Sequence, residues 1–413
     1  MILTVTQTPL RLAAIGLLVA AVTACSSVSS LGRGAVRGVN RAGEAVAGRL
    51  TAADTPDVKA ELPELKKSEI AIEIVSSRRI TDGMPDGYPK PWPAFDGDVV
   101  YTLGESRQVV FAHTLADGKR LWKARIEDDV TGGVGAGDGL VLVGTSNGDV
   151  VALSAEDGKE RWRAPLESEI LAPPTAREGV VVVATGDGHL YGLGAADGAR
   201  KWSIEREVPT LSLRGGSAPL TTPTLALYGF ADGHLVAVDL QTGREAWDTP
   251  IVRPRGRTEL ERMVDADCQP VIEGGTVFAA AFQGRISAVD LATGTAGWAR
   301  ELSCDSALTV DTFNVYATDT NDKVSALDLG SGVVYWEQNA LEGRHLTAPA
   351  VVGRYIAVAD VEGYVHWFNG EDGSPAGRNR PTKDAFLLAP YVRDGVAYFL
   401  SEGGRLYALR PAN

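Results

Sequence analysis

The chain has 413 residues, 44% of them hydrophobic and 23% charged, with a formal net charge of −13. That is ample apolar material for a large core. So acidic a chain is a poor partner for nucleic acid, whose binding relies on Lys and Arg against phosphate, and that class is set aside.

Residues 1–24 read as a secretory signal. Arg11 precedes the apolar run LAAIGLLVAAVTA, which is too short and too rich in small residues to span a bilayer. The run ends at Val22-Thr23-Ala24-Cys25, an aliphatic, small, small, Cys order that resembles the lipobox of bacterial lipoproteins. The resemblance implies that Cys25 becomes the lipidated first residue, and that Ser26 behind it directs the protein to the outer membrane. Several acyl chains, at about 0.8 kcal/mol per buried CH₂, anchor a protein stably where one chain would not. Residues 25–67, rich in Ser, Gly, Ala and charge, read as a tether that reaches roughly 130 Å when extended. The remainder, 68–413, is expected to form one folded domain.

Ser68–Ser77, SEIAIEIVSS, alternates Ile70, Ile72 and Ile74 with Ala71 and Glu73 and is predicted as a strand. After it one phrase, apolar-x-small-apolar, occurs eight times, around Ala112, Ala152, Gly192, Ala237, Ala288, Ala326, Trp367 and Ala408. Seven copies are followed six residues on by a turn glycine, from Gly118 to Gly373, and six of those glycines are followed four residues later by Trp122, Trp162, Trp202, Trp247, Trp298 and Trp336. The intervals of 40, 40, 45, 51, 38, 41 and 41 residues suit one four-stranded antiparallel blade each. The fold class predicted is all-β, an eight-bladed β-propeller. The last copy stops short, so Ser68–Ser77 is expected to supply the outermost strand of blade eight and close the ring. The turn D-x-x-T-G, as in Asp239 to Gly243, places a carboxylate against backbone N–H groups and Gly at positive φ. Each tryptophan is expected to fill the gap between neighbouring blades, as core and not as a cofactor platform.

Two intervals exceed the common 38–41 residues, and loops carry function more often than framework does. The first holds VPTLSLRGGSAP, Val208 to Pro219, and the second RPRGRTELERMVDADCQP, Arg253 to Pro270; both flank blade four. Leu211 and Leu213 have no evident core to enter, and Arg214 beside them suits bidentate contact with a carboxylate. Asp265 and Asp267 offer the opposite sign, either to hold Arg214 or to meet a cationic partner. The competing reading packs both leucines back on the blades and leaves the charges solvated. Cys268 and Cys304, 36 residues apart just ahead of the first strands of blades five and six, are expected to pair in an oxidising compartment, the alternative being two buried thiols.

Other motifs carry less. Gly144 to Gly148 matches G-x-S-x-G, but strand follows where a nucleophile elbow needs a helix, so Ser146 reads as a turn residue. The run Gly132 to Gly139 lacks the helix of a phosphate loop and reads as an inter-blade connection. The histidines His113, His189, His234, His345 and His366 show no ligand spacing. Asp319 to Lys323 lacks the glycine and terminal glutamate of a calcium loop. No cofactor is expected.

Together the lipobox, the tether, eight repeats of A-x-D-x-x-T-G-x-x-x-W character, and above all LSLRGGSAP and ERMVDADCQPV resemble the BamB family, lipoprotein subunits of the outer-membrane β-barrel assembly machinery. The resemblance covers nearly all the chain after Cys25. It implies a monomeric, non-catalytic scaffold on the periplasmic face of the outer membrane. Leu211, Leu213, Arg214, Asp265 and Asp267 would dock on a periplasmic POTRA domain, the third, of the barrel subunit BamA. It also implies a role in guiding unfolded outer-membrane proteins. The chain departs from the pattern in blade seven, where Gly377 stands at the tryptophan position, and in its two cysteines. Two other classes use similar repeats: quinoprotein dehydrogenases, although the adjacent Cys-Cys pair many of them carry is absent here, and envelope lipoproteins that bind polysaccharide through exposed aromatics.

Overall fold

The computed structural model describes residues 61–65, 68–85, 92–209, 216–252, 265–282, 284–304 and 306–412, with backbone alone at 265–267. Within them lie eight four-stranded antiparallel sheets, seven in simple chain order and one completed from upstream. Blade one runs Ala94–Asp96, Val99–Leu103, Val109–Thr114 and Arg120–Arg125, and the next six repeat that order up to Pro375–Asn379. Blade eight consists of Tyr391–Arg393, Val396–Leu400 and Arg405–Pro411, and its outermost strand is Ile72–Arg79.

The two middle strands of a blade are apolar along their whole length because neighbouring blades cover both faces. In blade two, LVLVGT from Leu140 to Thr145 is buried at every position, and DVVALS from Asp149 to Ser154 at all but the first. The outermost strand faces solvent at its edge and alternates instead: ERWRAP buries Trp162 and Ala164, while Glu160, Arg161 and Pro165 are exposed. Ala152 pairs across the ladder with Trp162, and the register shifts by one residue just beyond that pair. Such a bulge re-aims the side chain beside it.

The tryptophans join the blades. Trp122 donates its Nε1–H to Ala155 O of blade two at 2.9 Å, and Trp162, Trp202, Trp247, Trp298 and Trp336 do the same one blade further on each time, at 2.8–3.0 Å. Each indole lies flat on the turn glycine of the next blade. A Cβ on Gly158 would sit 2.6 Å from the Trp122 ring, and φ there is +71°. Glycine is therefore demanded twice, by the conformation and by the close approach. The preceding turn is built by its aspartate: Asp239 accepts from Thr242 N at 2.9 Å and Thr242 Oγ1 at 2.7 Å, which holds its carboxyl below the usual range.

Ring closure uses the upstream strand, shifted from the expected bounds. Ile72–Arg79 pairs antiparallel with Arg405–Pro411, while Ser68–Ile70 bend onto blade seven, where Glu69 N donates to Ala376 O at 2.7 Å. At the joint between blades eight and one, Arg78 lays its aliphatic stem on Gly118, and Phe95 stacks on Tyr391 with ring centres 4.0 Å apart.

One expectation fails. Gly132 to Gly139 is not an inter-blade connection; Val130–Gly137 is the first strand of blade two. Its glycines are required by closeness, since a Cβ on Gly135 or Gly137 would collide with the carbonyls of Pro174 and Ala176 on the way into blade three. Side-chain-free backbone packs there against backbone.

Candidate partner-binding face

In a four-stranded antiparallel blade the second-to-third hairpin and the crossing to the next blade end on the same side. The contacts show it: Leu166 N donates to Gly148 O, Arg206 N to Gly188 O and Ile251 N to Gly233 O, each crossing starting beside a hairpin. Both long intervals are crossings of this kind, leaving blades three and four. Their described ends lie on one face and flank blade four.

The first crossing is pinned at its start. Arg206 bridges Asp232 at 2.8 Å and Asp248 at 2.7 Å, and His234 Nδ1 meets Asp248 at 2.6 Å. Burial alone would raise the Asp248 carboxyl, but hydrogen bonds from His234 and Arg206 hold it below the usual range. The guanidinium also lies over the Phe230 ring at 5.6 Å. At its end Pro219 O accepts from Thr175 Oγ1 at 3.1 Å, and Ala218 is gripped by a side chain of the second segment. Gln269 Oε1 accepts from Ala218 N at 3.0 Å and its Nε2 donates to Ala218 O at 3.3 Å, as a strand partner would.

Of the residues expected to bind a partner, Leu211, Leu213 and Arg214 lie outside the described residues. Asp265 and Asp267 open the first strand of blade five, Asp265–Glu273. Cys268 lies within that strand and not ahead of it; Cys304 lies in the crossing to blade six. Both are buried, and the structure joins them with Cα atoms 5.8 Å apart. Cys25, the signal and the tether lie outside the described residues.

Three of the scattered histidines are partnered by aspartates, His189 with Asp187, His234 with Asp248 and His366 with Asp360. Sequence reasoning missed these pairs, although the hairpin spelling Asp187-Gly188-His189 carried a signal for the first. Among the described residues no group of three or more His, Cys, Asp or Glu side chains is placed to hold a metal ion. Ser146 occupies an exposed hairpin bend followed by strand. No helix among the described residues is long and apolar enough to cross a membrane.

A buried charge network in blade seven was also not anticipated. Arg344 reaches Asp360 at 2.7 Å, His366 Nε2 meets the same carboxylate oxygen at 3.0 Å, and Arg378 Nε donates to His366 Nδ1 at 3.1 Å. Arg378 then donates to Pro63 O at 2.8 Å, tying the upstream segment to the rim.

Comparison with known proteins agrees with this architecture. The family model described as outer membrane protein assembly factor BamB matches residues 106–338 and 322–413. An outer membrane protein assembly factor BamB of Pseudomonas aeruginosa is 46% identical over 354 residues, covering 85% of this chain and 93% of its own. The Escherichia coli protein of that name is 34% identical over 207 residues, about half of each chain. The crystal structure of BamB from Moraxella catarrhalis superposes with a TM-score of 0.74 at 30% identity, over 82% of this chain and 100% of that one. A quinohemoprotein alcohol dehydrogenase of Comamonas testosteroni reaches a TM-score of 0.64 at 14% identity, over 90% of this chain and 84% of its own, a likeness of fold alone. The chain belongs to the BamB family of outer membrane protein assembly factors.

Proposed function

We propose that this propeller is a non-catalytic scaffold of outer-membrane protein assembly. It is held at the periplasmic face of the outer membrane by lipid on Cys25 and docks on the periplasmic POTRA domains of BamA through the face carrying the two long crossings. The observation that supports this reading most is the placement of both crossings on one face, flanking blade four, with their roots held together by Gln269 and Ala218. Leu211 and Leu213 supply apolar contact, Arg214 the ionic one, and Asp265 and Asp267 the complementary charge. Arg214→Glu reverses the central charge, and breaking a desolvated ionic contact costs about 2–5 kcal/mol, roughly 30-fold to several-thousand-fold in affinity. Calorimetry with purified BamA periplasmic domains checks it, with Lys159→Glu on blade two as the control. Unchanged binding by both Arg214→Glu and the Leu211→Ala, Leu213→Ala double variant rejects the docking surface.

Blade six favours a second contact, with unfolded outer-membrane chains. Two residues before the tryptophan, the outermost strands of blades one to four carry Arg120, Glu160, Arg200 and Glu245, charges that discourage strand addition. Blade six has Val334 there at 42% exposure, beside Tyr335 at 59%, which leaves its outer strand suited to main-chain pairing with an extended apolar segment. Replacing Val334 and Tyr335 by Lys should reduce crosslinking to an unfolded β-barrel chain, and unchanged crosslinking would reject this contact.

A further inference from the structure

The outer rim where blades eight and one meet is basic, on a chain whose formal net charge is −13. In the outermost strand of blade one, Arg120, Lys123 and Arg125 lie across the ladder from His113, Phe111 and Val109, so they share one side of the strand. Trp122, next to Lys123, turns the other way and reaches Ala155 of blade two, which leaves the three cations on the side of blade eight. From the opposite wall Arg78 lays its stem on Gly118. All four cations are exposed. Both edge strands are bulged here, and the extra residues, Leu121 and Val75, are 46% and 45% exposed.

Blade two shows how the fold satisfies the same positions from within. There Glu160 and Arg163 stand where blade one has Arg120 and Lys123; they pair at 3.3 Å, and Arg163 also bridges Asp128 and Asp149 at 3.1 Å. In blade one both positions are cationic. Arg78 donates to Ser77 O and Arg125 to Gln108 Oε1, and among the described residues no carboxylate pairs with any of the four. Like charges set side by side repel, and nothing in the described fold offsets them, so their counter-charge is external. Two facts choose its nature. Cations on an edge strand discourage pairing with another strand, so this rim does not suit main-chain addition. Ile72–Arg79 is also the strand by which the upstream chain enters the propeller, and that chain is itself basic, with Arg33, Arg37, Arg41 and Arg49 against Glu44 alone between positions 26 and 50. Basic residues interleaved with exposed aliphatics, continuous with a basic tether, suit an anionic lipid surface.

We propose that the rim of blades eight and one is a lipid-contacting surface, at which Arg78, Arg120, Lys123 and Arg125 meet phosphate headgroups while Val75 and Leu121 enter the headgroup boundary. With acyl chains supplying attachment in the reading above, the role of the rim is orientation. A tether that reaches roughly 130 Å leaves the disc free to turn, and the cations fix which edge faces the bilayer. An edge-on disc keeps the face with the long crossings clear of lipid.

The test is vesicle flotation with residues 26–413, which include every described residue and carry no acyl group, so the result is independent of lipid at Cys25. The parent chain should bind vesicles of phosphatidylethanolamine with phosphatidylglycerol, release them as salt rises, and ignore vesicles of phosphatidylcholine. One Lys or Arg near an anionic surface is worth about fivefold in partitioning, so Arg120→Gln with Lys123→Gln should weaken binding roughly 25-fold. Arg161→Gln with Lys201→Gln, the same loss of charge from the rims of blades two and three, should change it less than about twofold. Val75→Ser with Leu121→Ser should weaken the binding that survives at high salt, where the ionic part is screened. All these side chains are exposed, and thermal melts matching the parent confirm that the fold is kept. Absence of binding by the parent overturns the proposal. Unchanged binding by the Arg120→Gln, Lys123→Gln variant assigns the lipid to the upstream arginines and overturns the rim, and equal losses in the two charge variants reduce the effect to net charge and overturn it too. Intact vesicle binding by that variant, with loss of binding to BamA periplasmic domains in calorimetry, would make the counter-charge an acidic protein surface instead.

Discussion

Trp367 lies directly across the ladder from Gly377, the reverse of the small-to-tryptophan pairs Ala112–Trp122, Ala152–Trp162, Gly192–Trp202, Ala237–Trp247 and Ala326–Trp336. The indole has moved one strand inward, where it is fully buried and donates to Asn379 Oδ1 at 3.3 Å. The vacated rim is filled from upstream by Ile70 and Ile72, whose side chains a Cβ on Gly377 would meet at 2.9 and 3.2 Å.

Restoring the common arrangement should therefore expel the upstream segment. In the Trp367→Ala, Gly377→Trp double variant the new indole would occupy the space of Ile70 and Ile72, and residues 61–71 should become sensitive to limited proteolysis while the propeller stays folded. Trp367→Ala alone leaves a cavity and should cost about 3–5 kcal/mol in urea unfolding. Equal protease resistance in the double variant and the parent protein would count against this account of blade seven.

Deleting Ser68–Ser77 removes most of the strand that closes blade eight, together with the residues that cover Gly377. Because it exposes two sheet edges and an apolar rim at once, a drop in Tm far beyond that of any single core substitution is expected. Removing residues 26–60 should leave Tm nearly unchanged. Thermal melts of the two deletions decide the matter, and equal Tm values would contradict closure by this strand.

Stability should fall on mild acidification. His366 accepts from Arg378 at Nδ1 and so donates from Nε2 to Asp360, an arrangement that requires a neutral ring. Burial lowers its pKa despite the Asp360 carboxylate, and burial followed by the Arg120 charge lowers His113 to about 4. A histidine depressed in the folded state is matched by a neutral unfolded one above the unfolded pKa of about 6.5, so its stabilisation is complete there. Below that pH the unfolded chain takes up protons that the fold refuses, and the urea midpoint should decline from about pH 6.5 towards 4. His366→Gln should flatten part of the slope; an unaltered pH profile in that variant would remove His366 from the explanation.

Cys268 and Cys304 should both resist alkylation in denaturant until a reductant is added, as mass spectrometry of the intact chain would show. The Cys268→Ser, Cys304→Ser variant should lose about 2–4 kcal/mol, the usual worth of a disulfide that closes a loop of this size. Immediate alkylation of both thiols in the unreduced protein would show that they are not bonded.

Much of this molecule is legible from neighbours in sequence. The interval of about 40 residues, the D-x-x-T-G turn and the tryptophan four residues beyond its glycine are local patterns, because strand alternation and turn chemistry depend on residues a few positions apart. They specify eight blades and even the indole that joins each of the first six to the next. Interval length alone locates the two long crossings. What the tertiary structure decides is which distant groups share a gap once the ring has closed. Ile70 meets Gly377 across more than three hundred residues, Gln269 reaches Ala218 across fifty-one, and Arg378 holds both His366 and Pro63. None of these pairs has a periodic signature, since each exists only because closure of the propeller sets a rim or crossing of one blade against a segment the chain laid down elsewhere. The glycines from Gly132 to Gly137 teach the same lesson: as spelling they suggest a loop, and only the crowding of first strands beside Pro174 and Ala176 makes them a strand.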